Sequence, residues 1–211
     1  MSKISLMKYS YSSTYFIGEV MNIDGIFIDV MLYPDRYSNI RLASPIYISS
    51  EECGLITFSV SNVTRAKYGK EFALIRKGSG GEASNIYPDI KTHYNYIIRV
   101  YNLYYVDKEG NIIRKMGCNP SPHDPVYSLA REDLRKVLFT PKFNSDILRI
   151  LAMVNPDPLF IHEFLIQVKD VCDKYDSSLL LSEMLSALYQ ADYRRIDIFI
   201  RDFREVFLSE E

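Results

Sequence analysis

All nine glycines of the 211-residue chain stand at or before Gly117, and none follows it. Glycine serves tight turns and close backbone approaches, so a chain that stops using it changes its kind of structure at that point. Tyrosine divides the same way, with thirteen of seventeen residues before Gly117. The junction Cys118-Asn119-Pro120-Ser121-Pro122-His123-Asp124-Pro125 has the composition of a Pro-rich linker. These signals predict a β-rich domain over 1–117, a linker over 118–125 and an α-helical domain over 126–211.

In the first part, Tyr15 to Met21 and Ile26 to Leu32 are β-branched and aromatic runs joined by Asn22-Ile23-Asp24-Gly25. Gly25 tolerates the positive φ of a tight hairpin turn, so this is a hairpin. Further short runs at Ile46 to Ile48, Leu55 to Val60 and Phe72 to Ile75 are punctuated by Pro45, Gly54 and Gly69. Close-spaced strands of this kind build a mainly antiparallel sandwich or small barrel. A second hairpin runs from Lys91 to Val106 and returns through Gly110 into Ile112 to Met116. Its first strand is far longer than the usual five or six residues, so it must bend or project. Both of its faces are apolar or aromatic, which fits a strand inside a two-sided core and also an arm packed on neighbouring subunits. The second reading makes Tyr94, Tyr96, Tyr101, Tyr104 and Tyr105 candidate interface residues.

After the linker the period changes. Asp124-Pro125 has the form of a helix N-cap followed by proline, predicting a helix to about Phe139. Further helices are expected over Ser145 to Val154, Pro158 to Tyr175, and from a Ser177 cap to Leu188. A last helix carries Ile196, Phe199, Ile200, Phe203 and Phe207 on one stripe. The expected class is therefore α+β, a β sandwich or small barrel followed by a C-terminal helical bundle.

Composition bounds the function. The formal charge is -2, split as +3 up to and including Gly117 and -5 after it, which removes the strongly basic signature of a duplex-DNA or anionic-membrane protein. No apolar stretch has the length of a membrane span or a signal-peptide core. The three cysteines, Cys53, Cys118 and Cys172, form no Cys-x-x-Cys pair and are expected to be small buried residues in a reducing compartment. The expected location is cytoplasmic, or the virion if the chain is viral.

Residues for catalysis do not converge in the sequence. His93, His123 and His162 fall on a strand, a linker and a helix, and Ile166 stands where a His-Glu-x-x-His motif starting at His162 needs its second ligand. Cys118 and His123 lack a cysteine-protease context. Lys77-Gly78-Ser79-Gly80-Gly81-Glu82 lacks the Gly-Lys-Ser/Thr of a phosphate loop and is expected to be a surface loop. The carboxylates at Asp170, Asp173, Asp192, Asp197 and Asp202 are expected on solvated helix faces with local ion pairs. No catalytic, cofactor or metal residues are assigned.

The expected function is that of a non-enzymatic structural or interaction subunit in a larger homo- or hetero-assembly. Seventeen tyrosines beside eight alanines point to an AT-rich genome. With that source, the most concrete version is a bacteriophage virion component, such as a ring or connector at the head–tail junction. The alternative is a single-stranded nucleic-acid-binding barrel, with Arg65, Lys67, Tyr68, Lys70, Arg76 and Lys77 as its electrostatic and stacking track.

Overall fold

The computed structural model describes residues 3–33, 36, 39–67, 94–113, 119–139, 154, 159–191 and 193–208, and of 64–67, 94, 95 and 191 the backbone alone. Nine strands form one antiparallel sheet among these residues. They are β1 (Phe16–Asp24), β2 (Phe27–Leu32), β3 (Pro45–Ser49), β4 (Gly54–Phe58), β5 (Thr64–Lys67), β6 (Tyr94–Tyr101), β7 (Tyr104–Val106), β8 (Ile112–Ile113) and β9 (Pro125–Ser128). The helices α1 (Arg131–Phe139), α2 (Phe160–Lys169), α3 (Lys174–Ala191) and α4 (Ile196–Leu208) follow, so the class is α+β. No described helix is long and apolar enough to cross a membrane.

The expected β1–β2 hairpin forms with a tighter turn: β1 runs on through Asn22-Ile23-Asp24, and only Gly25 and Ile26 lie between the strands. Asp24 pairs with Phe27, and of the two turn residues only Gly25 has a positive φ, +61°, the form of a type II′ turn. Gly18 serves packing instead, because a Cβ there would collide with the Met31 carbonyl oxygen on β2.

The strand order β5-β6-β2-β1-β9-β3-β4-β7-β8 curls back on itself. Ser59, just after β4, bridges Val100 on β6, so six strands return to their start and the sheet is barrel-like. The long tyrosine-rich strand is split at Asn102-Leu103 into β6 and β7, which pair with β5 and β4 respectively. A strand of that length bends here because it must follow the curl of the sheet.

Side-chain alternation sorts two apolar layers. Ile28, Val30, Ile46, Ile48, Leu55, Ile98, Val100 and Val126 belong to one buried cluster, largely β-branched. Tyr47, Ile56, Phe58, Tyr101, Tyr104 and Tyr127 belong to a second, which continues without a break into Leu134, Phe164, Met184 and Phe199 of the helices. Phe58 meets Phe164 edge-on at 5.8 Å, tying β4 to α2. Tyrosine on these strands therefore fills the seam between sheet and helices.

Several expectations need correction. Asp124-Pro125 does not open a helix. Pro125–Ser128 is β9, seated between β1 and β3, and helix starts only at Arg131. Proline is tolerated as the first residue of a strand, and Val126 and Tyr127 are buried in the two opposite layers. The Asp124 carboxylate accepts the Ser121 N–H at 2.6 Å and closes a turn. The helix expected over Pro158 to Tyr175 is divided. Asp173 Oδ1 accepts from the Asp176 N–H at 2.8 Å and Asp176 Oδ2 from the Asp173 N–H at 3.2 Å, a reciprocal cap that starts α3 ahead of Ser177. Ser177 itself donates to the Lys174 carbonyl. Of the helix expected over Ser145 to Val154 only Val154 is described, and it is helical. The Phe72 to Ile75 run and the Lys77 to Glu82 loop lie outside the described residues.

Candidate functional site

A cleft of about 780 Å³ opens where α2, α4, the start of α1 and the loop before β3 meet. Its walls are polar and charged, and most of the charges are already matched. Arg41 Nε lies 3.3 Å from Glu163 Oε2, and with the amide turned so that its oxygen faces Arg41, Gln167 accepts from the same Nε at 2.8 Å. Arg131 Nη2 meets Asp170 Oδ2 at 2.7 Å across the rim. These pairs hold the loop and α1 against α2, and being half-exposed they contribute little each.

At one side of the cleft, His162 on α2 faces Asp202 and Glu205 on α4, with one donor atom from each within 4.8 Å of the others. Packing dictates this convergence. Phe199, Asp202, Phe203 and Val206 are the buried face of α4, and Glu205 sits one turn beyond Asp202 at the edge of that face. Asp202 is only 3% exposed, so its expected place on a solvated face is overturned: the stripe that buries the phenylalanines carries it inside. Arg201 Nη2 and Nε both reach Asp202 Oδ1, at 2.9 and 3.0 Å. An imidazole and two carboxylates are donors suited to a divalent metal ion, or to holding a shared proton.

A second buried carboxylate, Asp133, is structural. It accepts the Tyr9 hydroxyl at 2.9 Å and pairs with Lys8 and Lys136, each at 3.1 Å. Burial, followed by the Asp133 charge, pushes the Tyr9 phenol far above its ordinary range, so it stays a donor. Lys8 also pairs with Glu132. The N-terminal segment is thereby fastened to α1.

The candidate interface tyrosines lie mostly inside the fold. Tyr101, Tyr104 and Tyr105 are 2%, 1% and 5% exposed, and Tyr96 is half-buried. Tyr94 is placed on β6 with its side chain outside the described residues, as are the side chains of Arg65 and Lys67 on β5. Tyr68, Lys70, Arg76 and Lys77 lie outside the described residues altogether, so the proposed nucleic-acid track is not brought together here. His123 is on an exposed turn with φ +71°, its Nδ1 3.3 Å from Glu19 Oε2. Glu19 also accepts the Tyr33 hydroxyl at 2.7 Å, a bond that, with burial, pushes that phenol up to about 12.

The cysteines differ from one another. Burial, reinforced by Asp176, pushes the Cys172 thiol up to about 12, which leaves it protonated and unreactive at neutral pH. Cys53 is disulfide-bonded, against the expectation of a lone thiol. Disulfide formation depends on distance in space, on which the spacing of cysteines along the chain is silent.

The helices also present apolar surface. Tyr189 and Tyr193 are 76% and 67% exposed and line a shallow groove with Ile196 and Asp197, while Leu208 stands exposed beside a second groove at Leu181 and Phe207.

No family model matches the chain, and no curated protein matches its sequence.

Proposed function

We propose that the chain is a non-enzymatic structural subunit that assembles with copies of itself, its helical part acting as a bundle that carries the contact and its barrel as the scaffold. The observation that supports this is the Tyr189–Tyr193 groove. Two large aromatic side chains, four residues apart, stand in solvent with Ile196 lining the same groove. Tyrosine at such a position brings a large area and a polar tip at small rotamer cost, which is why it is enriched at protein contacts.

Charge gives the contact a direction. The residues after Gly117 carry -5 and those up to and including it carry +3, and Asp197 lies in the groove itself. A head-to-tail contact between the helical part of one copy and the barrel of the next is heterologous, the type that closes into rings. The most concrete setting is a bacteriophage particle, as a ring or connector subunit at the head–tail junction. The disulfide at Cys53 fits a particle that leaves the reducing cytoplasm in which it is made.

Sedimentation velocity of the Tyr189→Ser/Tyr193→Ser double variant tests the reading. The wild-type chain is expected to sediment as an oligomer and the variant as a monomer with unchanged helical circular dichroism. An oligomer of undiminished size in the variant would remove the groove from the contact.

A further inference from the structure

We infer that His162, Asp202 and Glu205 form a binding site for one divalent transition-metal ion of the zinc class, spanning α2 and α4 and opening into the polar cleft. Distance, donor chemistry and placement each support the site, independently of the assembly reading.

The distances suit a small ion. Three donor atoms that all lie within 4.8 Å of one another have a common point no more than about 2.8 Å from each, against the ~2.0–2.2 Å of zinc–nitrogen and zinc–oxygen bonds. A movement of well under 1 Å per side chain closes that gap, within the reach of a rotamer adjustment of Glu205, which is exposed, and of His162, which is half-buried.

The donor set suits a cation. Asp202 is buried and Glu205 stands one helical turn away, so two carboxylates face one imidazole at the mouth of a cleft. Carboxylate oxygen and imidazole nitrogen are both ordinary ligands of a zinc-class ion. Arg201 pairs with Asp202 from outside. Both of its contacts fall on Asp202 Oδ1, which fixes the carboxylate rotamer as an outer partner of a metal ligand does, while the carboxylate has a second oxygen for the ion.

The placement is rigid. The donors come from two helices that pack directly on each other, and Phe199 and Phe203 on α4 and Phe164 and Leu165 on α2 are buried on either side of the contact. Two packed helices are a firmer frame than a loop. A ring nitrogen with two carboxylate oxygens selects zinc, iron or cobalt over calcium and magnesium, which favour all-oxygen sites. Three protein ligands leave a fourth position for water, as in catalytic zinc sites.

The test is isothermal titration of chelator-treated protein with Zn²⁺, together with the visible absorption of added Co²⁺. The expected result is one saturable site per chain, a Co²⁺ spectrum displaced by Zn²⁺ and unaffected by excess Ca²⁺. His162→Gln and Glu205→Gln should each weaken Zn²⁺ binding at least tenfold, with wild-type circular dichroism. His123→Gln, which alters the His123–Glu19 pair on the barrel, should leave it unchanged. Absence of a saturable site in the wild-type chain, or full Zn²⁺ affinity retained in both His162→Gln and Glu205→Gln, overturns the inference.

Discussion

Replacing Phe164 with alanine asks whether sheet and helices share one core. Phe164 is fully buried on α2, stacked at 6.4 Å on Phe160 and edge-on at 5.8 Å to Phe58 of β4. Truncating a buried phenylalanine costs about 3–5 kcal/mol, from lost apolar burial and the cavity left behind. With a urea slope of about 2 kcal/mol per molar, the midpoint should fall by roughly 2 M. The chain supplies its own two probes. It has no tryptophan, and thirteen of its seventeen tyrosines precede Gly117, so tyrosine fluorescence follows mainly the barrel while circular dichroism in the far ultraviolet follows the helices. In one continuous core both signals move together by the same amount. If the helical signal shifts alone and the tyrosine signal keeps its wild-type midpoint, the two parts fold independently and the shared-core reasoning is wrong. Phe164→Leu, which keeps most of the volume, should show the same coincidence with a smaller shift.

Three further outcomes follow from the same structure. The Asp176 N–H and then Arg135 hold the Asp173 carboxyl below the ordinary carboxylate range, so its contribution is present above its unfolded pKa and lost as pH falls through its folded value. Asp173→Asn should therefore lower the melting temperature at pH 7, with the difference from wild type shrinking as pH falls below the ordinary Asp value of about 3.9. Alkylation without reductant should leave Cys53 unmodified even in urea while labelling Cys172 only once the chain is unfolded, as peptide mass mapping would show. Tyr101→Ser/Tyr105→Ser should unfold the whole chain, seen as loss of both fluorescence and dichroism transitions, because both rings are buried in its own core.

What was legible in the sequence was whatever depends on neighbours along the chain. Gly25 announced its hairpin, and the phenylalanine stripe of α4 announced its buried face. What depends on the partner surface was hidden. The Pro125–Ser128 segment carries the local signature of a helix start, and only the place open to it between β1 and β3 makes it a strand. The two-faced apolar pattern of Tyr94 to Tyr105 was equally compatible with an arm and a core, and the helices packed over the tyrosine layer decide for the core. The His162 cluster was not legible because its ligands lie forty residues apart on different helices, whereas a His-Glu-x-x-His motif holds them within about one turn. The spacing of Asp202 and Glu205 on the stripe of Phe199 and Phe203 was the available signal.

Self-assembly of a structural subunit would show in the mass of the wild-type chain in solution, measured by light scattering on a size-exclusion column at tens of micromolar protein. The expected mass is twice 24.5 kDa or a higher whole-number multiple of it. A single peak at 24.5 kDa that does not change as concentration rises would contradict it.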